Sequence, residues 1–280
     1  MEKPKIIVNA DDFGVSPGVN KAVIKAFKYG TLNSASLMVN AGYTEDAIKL
    51  SLENPKLSVG LHINLTNESA LSDPGDIPLL VNKKGQLKNG YVKLLLLSFF
   101  KPLAFKRQVR IEIRRQIGKM LGHGIKPSHL DSHRHVHTIP SIFSICKELD
   151  LEFNINRIRI INESFGKTFF TIKNPICFID GGVIKYLVTK IFYYINNTKS
   201  DTYFYGIIYP TKLFGKNVSR ILVPNKFKAV EIAVHPSCIE EDKKIGDSSF
   251  KDYLLYSPNR TKELVTIMDK DFVKHIIYET

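Results

Sequence analysis

Residues 7–20, IVNADDFGVSPGVN, decide how the rest of this chain is read. The apolar run at 6–8 predicts a short strand, and it gives way to two adjacent acids, Asp11 and Asp12. Ser16-Pro17 then predicts a helix start, because serine caps free N–H groups and proline fits the first helical position. Val19, Ala22, Val23, Ala26 and Phe27 keep helical spacing until Gly30. Adjacent carboxylates at a strand end repel each other, so the pair needs a positive partner from elsewhere in the chain.

The strand-then-helix order continues outward from this unit. Residues 34–39 and 57–61 predict further strands, with a helix near 44–52 between them. Residues 66–90 are polar and carry the turn sequence Asp73-Pro74-Gly75-Asp76. Val109, Ile113, Ile117, Met120 and Leu121 share one face of a helix predicted over 107–121. Residues 127–130, 155–161 and 230–234 predict strands and 139–149 a helix, while the apolar region 176–195 has no clear period. This alternation predicts an α/β fold with parallel strands. Polar motifs at the strand ends suggest a TIM-like (β/α) barrel of about seven strands. An open doubly wound sheet is the competitor, but no GxGxxG follows the first strand. The chain is read as one domain, 1–280, with a long insertion at about 66–106.

Composition narrows the function classes. The 280 residues carry a formal charge of +13 and three cysteines, Cys146, Cys177 and Cys238, in no CxxC spacing. The cysteines read as reduced, packed thiols of a cytoplasmic protein. The opening MEKPKIIVNADDF has no apolar signal core, and no run approaches the roughly 18–20 apolar residues that span a bilayer. The positive charge suits nucleic acid, an anionic membrane surface or a phosphorylated substrate. The lysines are scattered and no RNP-like, zinc-finger or helix-turn-helix pattern is present, so no nucleic-acid partner is expected.

Four polar motifs each follow an apolar strand: NADD (9–12), GLHINL (60–65), SHLDSHRHVH (128–137) and VHP (234–236). In a parallel barrel the C-terminal strand ends face one mouth, so the four are expected to converge. On an extended segment His129, Asp131, His133, His135 and His137 share one side, which suits a metal or catalytic site and not a core strand. His62 on its own is a weaker signal, since a lone histidine among apolar residues is usually packed. One carboxylate and two imidazoles make an open metal site with room for water and substrate. An adjacent Asp pair supplies a ligand and a base together, and a cation relieves the repulsion between them.

NADDFG, GLHINLT and HLDSHRHVH, in this order, resemble the three signature blocks of the YdjC-type carbohydrate deacetylases, also called the chitooligosaccharide deacetylase family. The resemblance runs on to the late VHP. It implies a distorted barrel and metal-dependent hydrolysis of the N-acetyl group of an acetylated amino sugar. Carried over by position, it implies Asp11 as catalytic base and Asp12, His62 and His133 as metal ligands. His235 is implied as general acid or oxyanion partner. Arg159 and Glu163, in RIRIINE, resemble the family's Arg…Glu pair, with orientation of Asp11, sugar binding and a structural salt bridge as open roles. Asp131, His135 and His137 are expected to line the pocket or to hydrogen-bond the ligands. The implied cofactor is one divalent ion: imidazoles suit Zn2+, while a carboxylate and waters admit Mg2+ or Mn2+. Arg134 stands where Gln or His is expected and Ser237 where glycine is expected, and both bear on substrate specificity.

Two apolar stretches bear on the substrate. YVKLLLLSFFKPLAF (91–105) continues into Lys106, Arg107 and Arg110, and VIKYLVTKIFYY (183–194) has lysines interleaved. Too short to span a bilayer, both suit elements lying on anionic lipid, with core or homodimer packing as the alternative. The resulting expectation is a cytoplasmic N-acetylhexosamine deacetylase, peripheral at the inner membrane face, whose sugar is carried on a polyprenyl phosphate for envelope glycolipid modification. The alternatives are a chito-oligosaccharide deacetylase of sugar catabolism and a metal-dependent phosphoesterase.

Overall fold

Apolar strands that feed helices do build an α/β fold. The computed structural model describes residues 4–218, 221–224, 226–245 and 257–278. In chain order its elements are β1 (Lys5–Phe13), α1 (Pro17–Tyr29), β2 (Ser34–Leu37), α2 (Thr44–Glu53), β3 (Ser58–Ile63), α3 (Tyr91–Phe100) and α4 (Pro102–Gly122). There follow β4 (Leu130–Ser132), a 3-10 turn (His133–Thr138), α5 (Pro140–Phe153), α6 (Phe165–Ile172), α7 (Gly182–Ile195) and β5 (Thr202–Tyr205). The chain continues with β6 (Ile221–Val223), β7 (Ala229–Val234), α8 (Ile239–Ile245), α9 (Pro258–Met268) and β8 (Ile276–Tyr278).

Six strands form the main sheet, in the order β4-β3-β2-β1-β7-β5, where about seven were expected. The strand expected at 155–161 is reduced to a single bridge, Leu130 to Ile158. Its physical reason is local: Asn154 and Asn156 adopt φ of 51° and 72°, which breaks an extended run. β5 (Thr202–Tyr205), with the sequence TYFY, lies past the unclear region 176–195 and joins the sheet where no strand was expected.

The chain divides into two compact units. The first comprises Met1–Asp11, Pro17–Ala35 and Ile160–Thr280. In it β1 pairs in parallel with β7 from Lys5↔Ala229 to Ala10↔Val234, and β7 pairs in parallel with β5. Val8, Ala10, Val230, Ile232 and Val234 are fully buried, as expected of parallel strands covered on both faces. α1 packs against α8 and α9. Asp242 of α8 accepts from the Gly18 N–H at 2.7 Å and from Ser237 Oγ at 3.0 Å, so Ser237 anchors a helix.

The second unit comprises Asp12–Ser16 and Ser36–Arg159. β3 and β4 pair in parallel here, with His62 opposite Asp131. α4 begins at Pro102, five residues before the expected start, because proline after Lys101 sets the first helical turn. Gln108, Glu112 and Gln116 recur every four residues on α4, all buried. They accept from the backbone N–H groups of Leu79, of Leu71 and Ser72, and of Asn64. One helix face thus orders the long 66–90 loop.

Neither apolar stretch is a core helix. In α3 only Leu94 is buried, and in α7 only Gly182, Thr189 and Phe192. Ile184, Leu187, Ile191 and Tyr194 of α7 lie at helical spacing and are all more than half exposed. No helix among the described residues is long and apolar enough to cross a membrane.

Gly60 of β3 is a close-approach site: a Cβ there would lie 2.4 Å from the His129 ring. Gly60→Ala is therefore expected to destabilise the protein by about 1–3 kcal/mol through overpacking, measured by urea unfolding. Unchanged stability would show that the His129 ring is free to move aside.

Candidate active site

Asp131 is an acid of the second unit with partners on every side. It is fully buried, with Arg159 Nη1 2.6 Å from Oδ2 and Ser36 Oγ donating to Oδ2 at 2.7 Å. His62 Nδ1 lies 2.8 Å from Oδ1, and His129 Nε2 lies 4.0 Å from Oδ2. Burial by itself raises the carboxyl's pKa, but the positive field of Arg159, with His62 and His129, holds it well below the usual carboxylate range. An ionised carboxylate only accepts hydrogen bonds, so His62 Nδ1 carries a proton and Nε2 is the ring nitrogen left to meet a cation.

That Nε2 faces Asp12, 3.5 Å from Oδ1. His133 Nδ1 is 2.9 Å from the same oxygen, while its Nε2 is buried without a hydrogen-bond partner among the described residues. The His62 and His133 rings meet edge-on at 5.8 Å. Ligand atoms of Asp12, His62 and His133 all lie within 4.8 Å of one another. With a lone pair on His62 Nε2, as a metal ligand carries it, that atom and Asp12 Oδ1 need a positive charge between them. Tetrahedral ligands on bonds of about 2.1 Å stand roughly 3.4 Å apart. The donor set and the orphaned nitrogen fit a divalent cation.

Backbone strain gathers at these residues. Asp12 adopts φ 68°, and Arg134 and His135 both adopt φ 55°. Left-handed conformations at such positions cost about 1–3 kcal/mol each and persist where the surroundings enforce them. They also correct the expected face of the histidine block: β4 ends at Ser132, and 133–138 turns helically instead of alternating. His137 is consequently fully buried, with Nδ1 2.6 Å from Ser132 Oγ and Nε2 3.1 Å from the Arg159 carbonyl. Burial pushes its pKa down to about 4, so it is a neutral packed histidine behind Arg159. His135 lies partly exposed on the turn, and its carbonyl accepts from Thr138 Oγ1 at 2.8 Å. Arg134 is exposed.

The first unit carries the other group of predicted residues. Asp11 is buried past the last β1–β7 pair, and Asn9 Nδ2 donates to its Oδ1 at 2.8 Å. His235 directly follows β7, with Nε2 3.9 Å from Asp11 Oδ2. Beneath His235 sits Glu263 of α9, accepting from the His235 N–H at 2.7 Å and from the Leu213 N–H at 2.9 Å. Burial pushes the Glu263 carboxyl up to about 7. Glu163 accepts from Thr168 Oγ1 and from the N–H groups of Gly206, Ile207 and Ile208, while Arg159 is paired with Asp131.

Two residues of these clusters escaped the sequence reading. Ser36 gives no signal, since SASL reads as an ordinary strand. Glu263 could have been found: it shares the buried face Arg260, Glu263, Leu264 and Ile267 of α9, an acid in an otherwise packed stripe.

With parallel strands and a carboxylate–imidazole cluster in place, the class is that of an α/β protein with a metal-type donor set. The profile of the YdjC-like protein family matches residues 5–276, and the chain belongs to that family. It is 34% identical over 272 residues to a carbohydrate deacetylase of Clostridium beijerinckii, covering 97% of this chain and 94% of that one. A chitooligosaccharide deacetylase of Serratia marcescens is 39% identical over 146 residues, 52% of this chain and 54% of that protein. The fold is shared with a crystal structure from Enterococcus faecalis V583, described as a candidate cellobiose-phosphate cleavage protein. The TM-score is 0.67 at 20% identity, over 98% of this chain and 94% of that one.

Glu163 makes stability depend on pH. Burial outweighs its hydrogen bonds and raises its pKa from 4.5 to about 7. The folded state therefore binds the extra proton across that window, and stability falls as pH rises through it. Gln at this position copies the protonated acid, so Glu163→Gln is expected to flatten the fall, leaving the share of Glu263. Thermal unfolding at about pH 5 and about pH 8 measures this, and an unchanged slope would show that Glu163 is not its source.

Proposed function

We propose that the protein is a metal-dependent carbohydrate deacetylase that hydrolyses the N-acetyl group of an N-acetylhexosamine. The observation that carries this is the cluster in which Asp131 turns His62 Nε2 toward Asp12 Oδ1, 3.5 Å away, with His133 Nδ1 2.9 Å from the same oxygen. The relatives' names supply the reaction class.

In this reading Asp12, His62 and His133 hold one divalent ion, Zn2+ or Mg2+. The chemistry supplied there is a lower pKa for water and a more electrophilic acetyl carbonyl. Asp11, one peptide bond from Asp12, takes a proton from the attacking water. As the C–N bond breaks, His235 gives its proton to the departing amine, and acetate and a free amino sugar are released. Glu263 fixes the His235 backbone and Asn9 fixes Asp11, so both groups are held before substrate arrives. Arg159 acts through Asp131, and His137 through Arg159.

An N-acetylhexosamine on a polyprenyl phosphate is the substrate favoured by the charge of +13. A soluble chito-oligosaccharide is the second reading, favoured by the name of the Serratia marcescens relative.

Mass spectrometry of metal-reconstituted protein, offered both substrates, tests the proposal. Loss of an acetyl group is expected from at least one, with Asp11→Asn and His133→Ala slowed by about 100-fold or more. Variants that release acetate as fast as the parent would remove the site assignment. Hydrolysis of phosphate esters with N-acetyl sugars untouched would replace the reaction class.

A further inference from the structure

The elbow between α3 and α4 has a surface that deacetylation does not use. Lys101, at φ −134° and ψ 50°, ends α3, and Pro102 opens α4. Residues 99–104 are all exposed, and Phe99, Phe100 and Leu103 are 76%, 71% and 85% exposed. Val92, Leu96 and Phe99 continue the apolar surface along one side of α3. A soluble helix normally turns its polar face outward; this one turns out its apolar face.

Charge is the second, independent feature. Between residues 91 and 111 there is no Asp or Glu, and there are five cations: Lys93, Lys101, Lys106, Arg107 and Arg110. Arg110 is paired with Glu148, and no ion pair holds the other four among the described residues.

We infer that this elbow docks the protein on an anionic lipid membrane. Phe99, Phe100 and Leu103 enter the headgroup–acyl boundary, and Lys93, Lys101, Lys106 and Arg107 meet lipid phosphates. A second copy of the chain fits less well, because self-pairing of the elbow sets cations against cations with no acid in 91–111 to meet them. The far end of α3 from the elbow also touches the candidate site within its own unit. Tyr91 Oη, at the start of α3, lies 3.0 Å from Thr138 Oγ1, at the end of the turn that begins with His133. The inference stands apart from the deacetylase reading, since membrane binding needs neither substrate nor metal.

Flotation of the full chain with vesicles tests it, using phosphatidylcholine alone and an equal mixture with phosphatidylglycerol. The protein is expected to float only with the anionic vesicles at low salt, and to be released as salt screens the attraction. The Phe99→Ser/Phe100→Ser/Leu103→Ser variant, altered only at exposed positions, is expected to partition at least about tenfold less. Lys101→Glu/Arg107→Glu is expected to lose binding as well, with circular dichroism confirming that both variants fold. Absence of flotation at low salt, or undiminished binding by both variants, would overturn the inference. So would loss of binding only when Ile184, Leu187 and Ile191 of α7 are replaced. A dimer by light scattering that the triple serine variant dissociates, without vesicle binding, would assign the face to a second copy instead.

Discussion

An ionised carboxylate sealed from water is stable only if its surroundings replace the lost hydration, and Asp131 meets that condition four times over. Arg159 supplies the countercharge, Ser36 a hydroxyl proton, His62 a ring proton and His129 a nearby imidazole. These contacts draw Ser36 of β2, His62 of β3 and Asp131 of β4 onto one point. Losing Arg159 would strand a buried charge, a change that typically costs about 3–5 kcal/mol. The same contacts that settle Asp131 decide which nitrogen His62 presents, so stability and function share one set of atoms. Gly60 is part of that arrangement, since only a missing Cβ lets the His129 ring lie against β3.

The two aspartates that open the chain's polar face divide their work. The boundary between the units falls between them. Asp11 is held by Asn9 and stands near His235, whereas Asp12, at φ 68°, meets His62 and His133. In the proposed reading a cation among Asp12, His62 and His133 supplies the positive charge that the acid pair calls for.

Much of this was legible before any coordinates. Because apolar burial dictates them locally, period-2 and period-3.6 patterns give α1, β2, α2 and β3 to within two residues, and the starts of β1 and α5, both of which run on past their expected ends. The ligand candidates were legible because carboxylates and imidazoles at strand ends have few structural uses. What stayed hidden depends on contacts distant in sequence. RIRIINE looks like a strand with a charge pair, yet left-handed Asn154 and Asn156 stop the strand. Arg159 turns to Asp131, and Glu163 caps the N–H groups of Gly206, Ile207 and Ile208. His137 is buried with its ring on Ser132 Oγ and the Arg159 carbonyl, because the chain turns at His133.

The central claim is that Asp12, His62 and His133 form a cation site whose geometry Asp131 sets. Anomalous diffraction from crystals grown with Zn2+ or Mn2+ tests it most directly. The account predicts one strong peak bonded to Asp12, His62 and His133, with His62 Nδ1 still on Asp131. A peak held by other residues, or none at saturating metal, would contradict it.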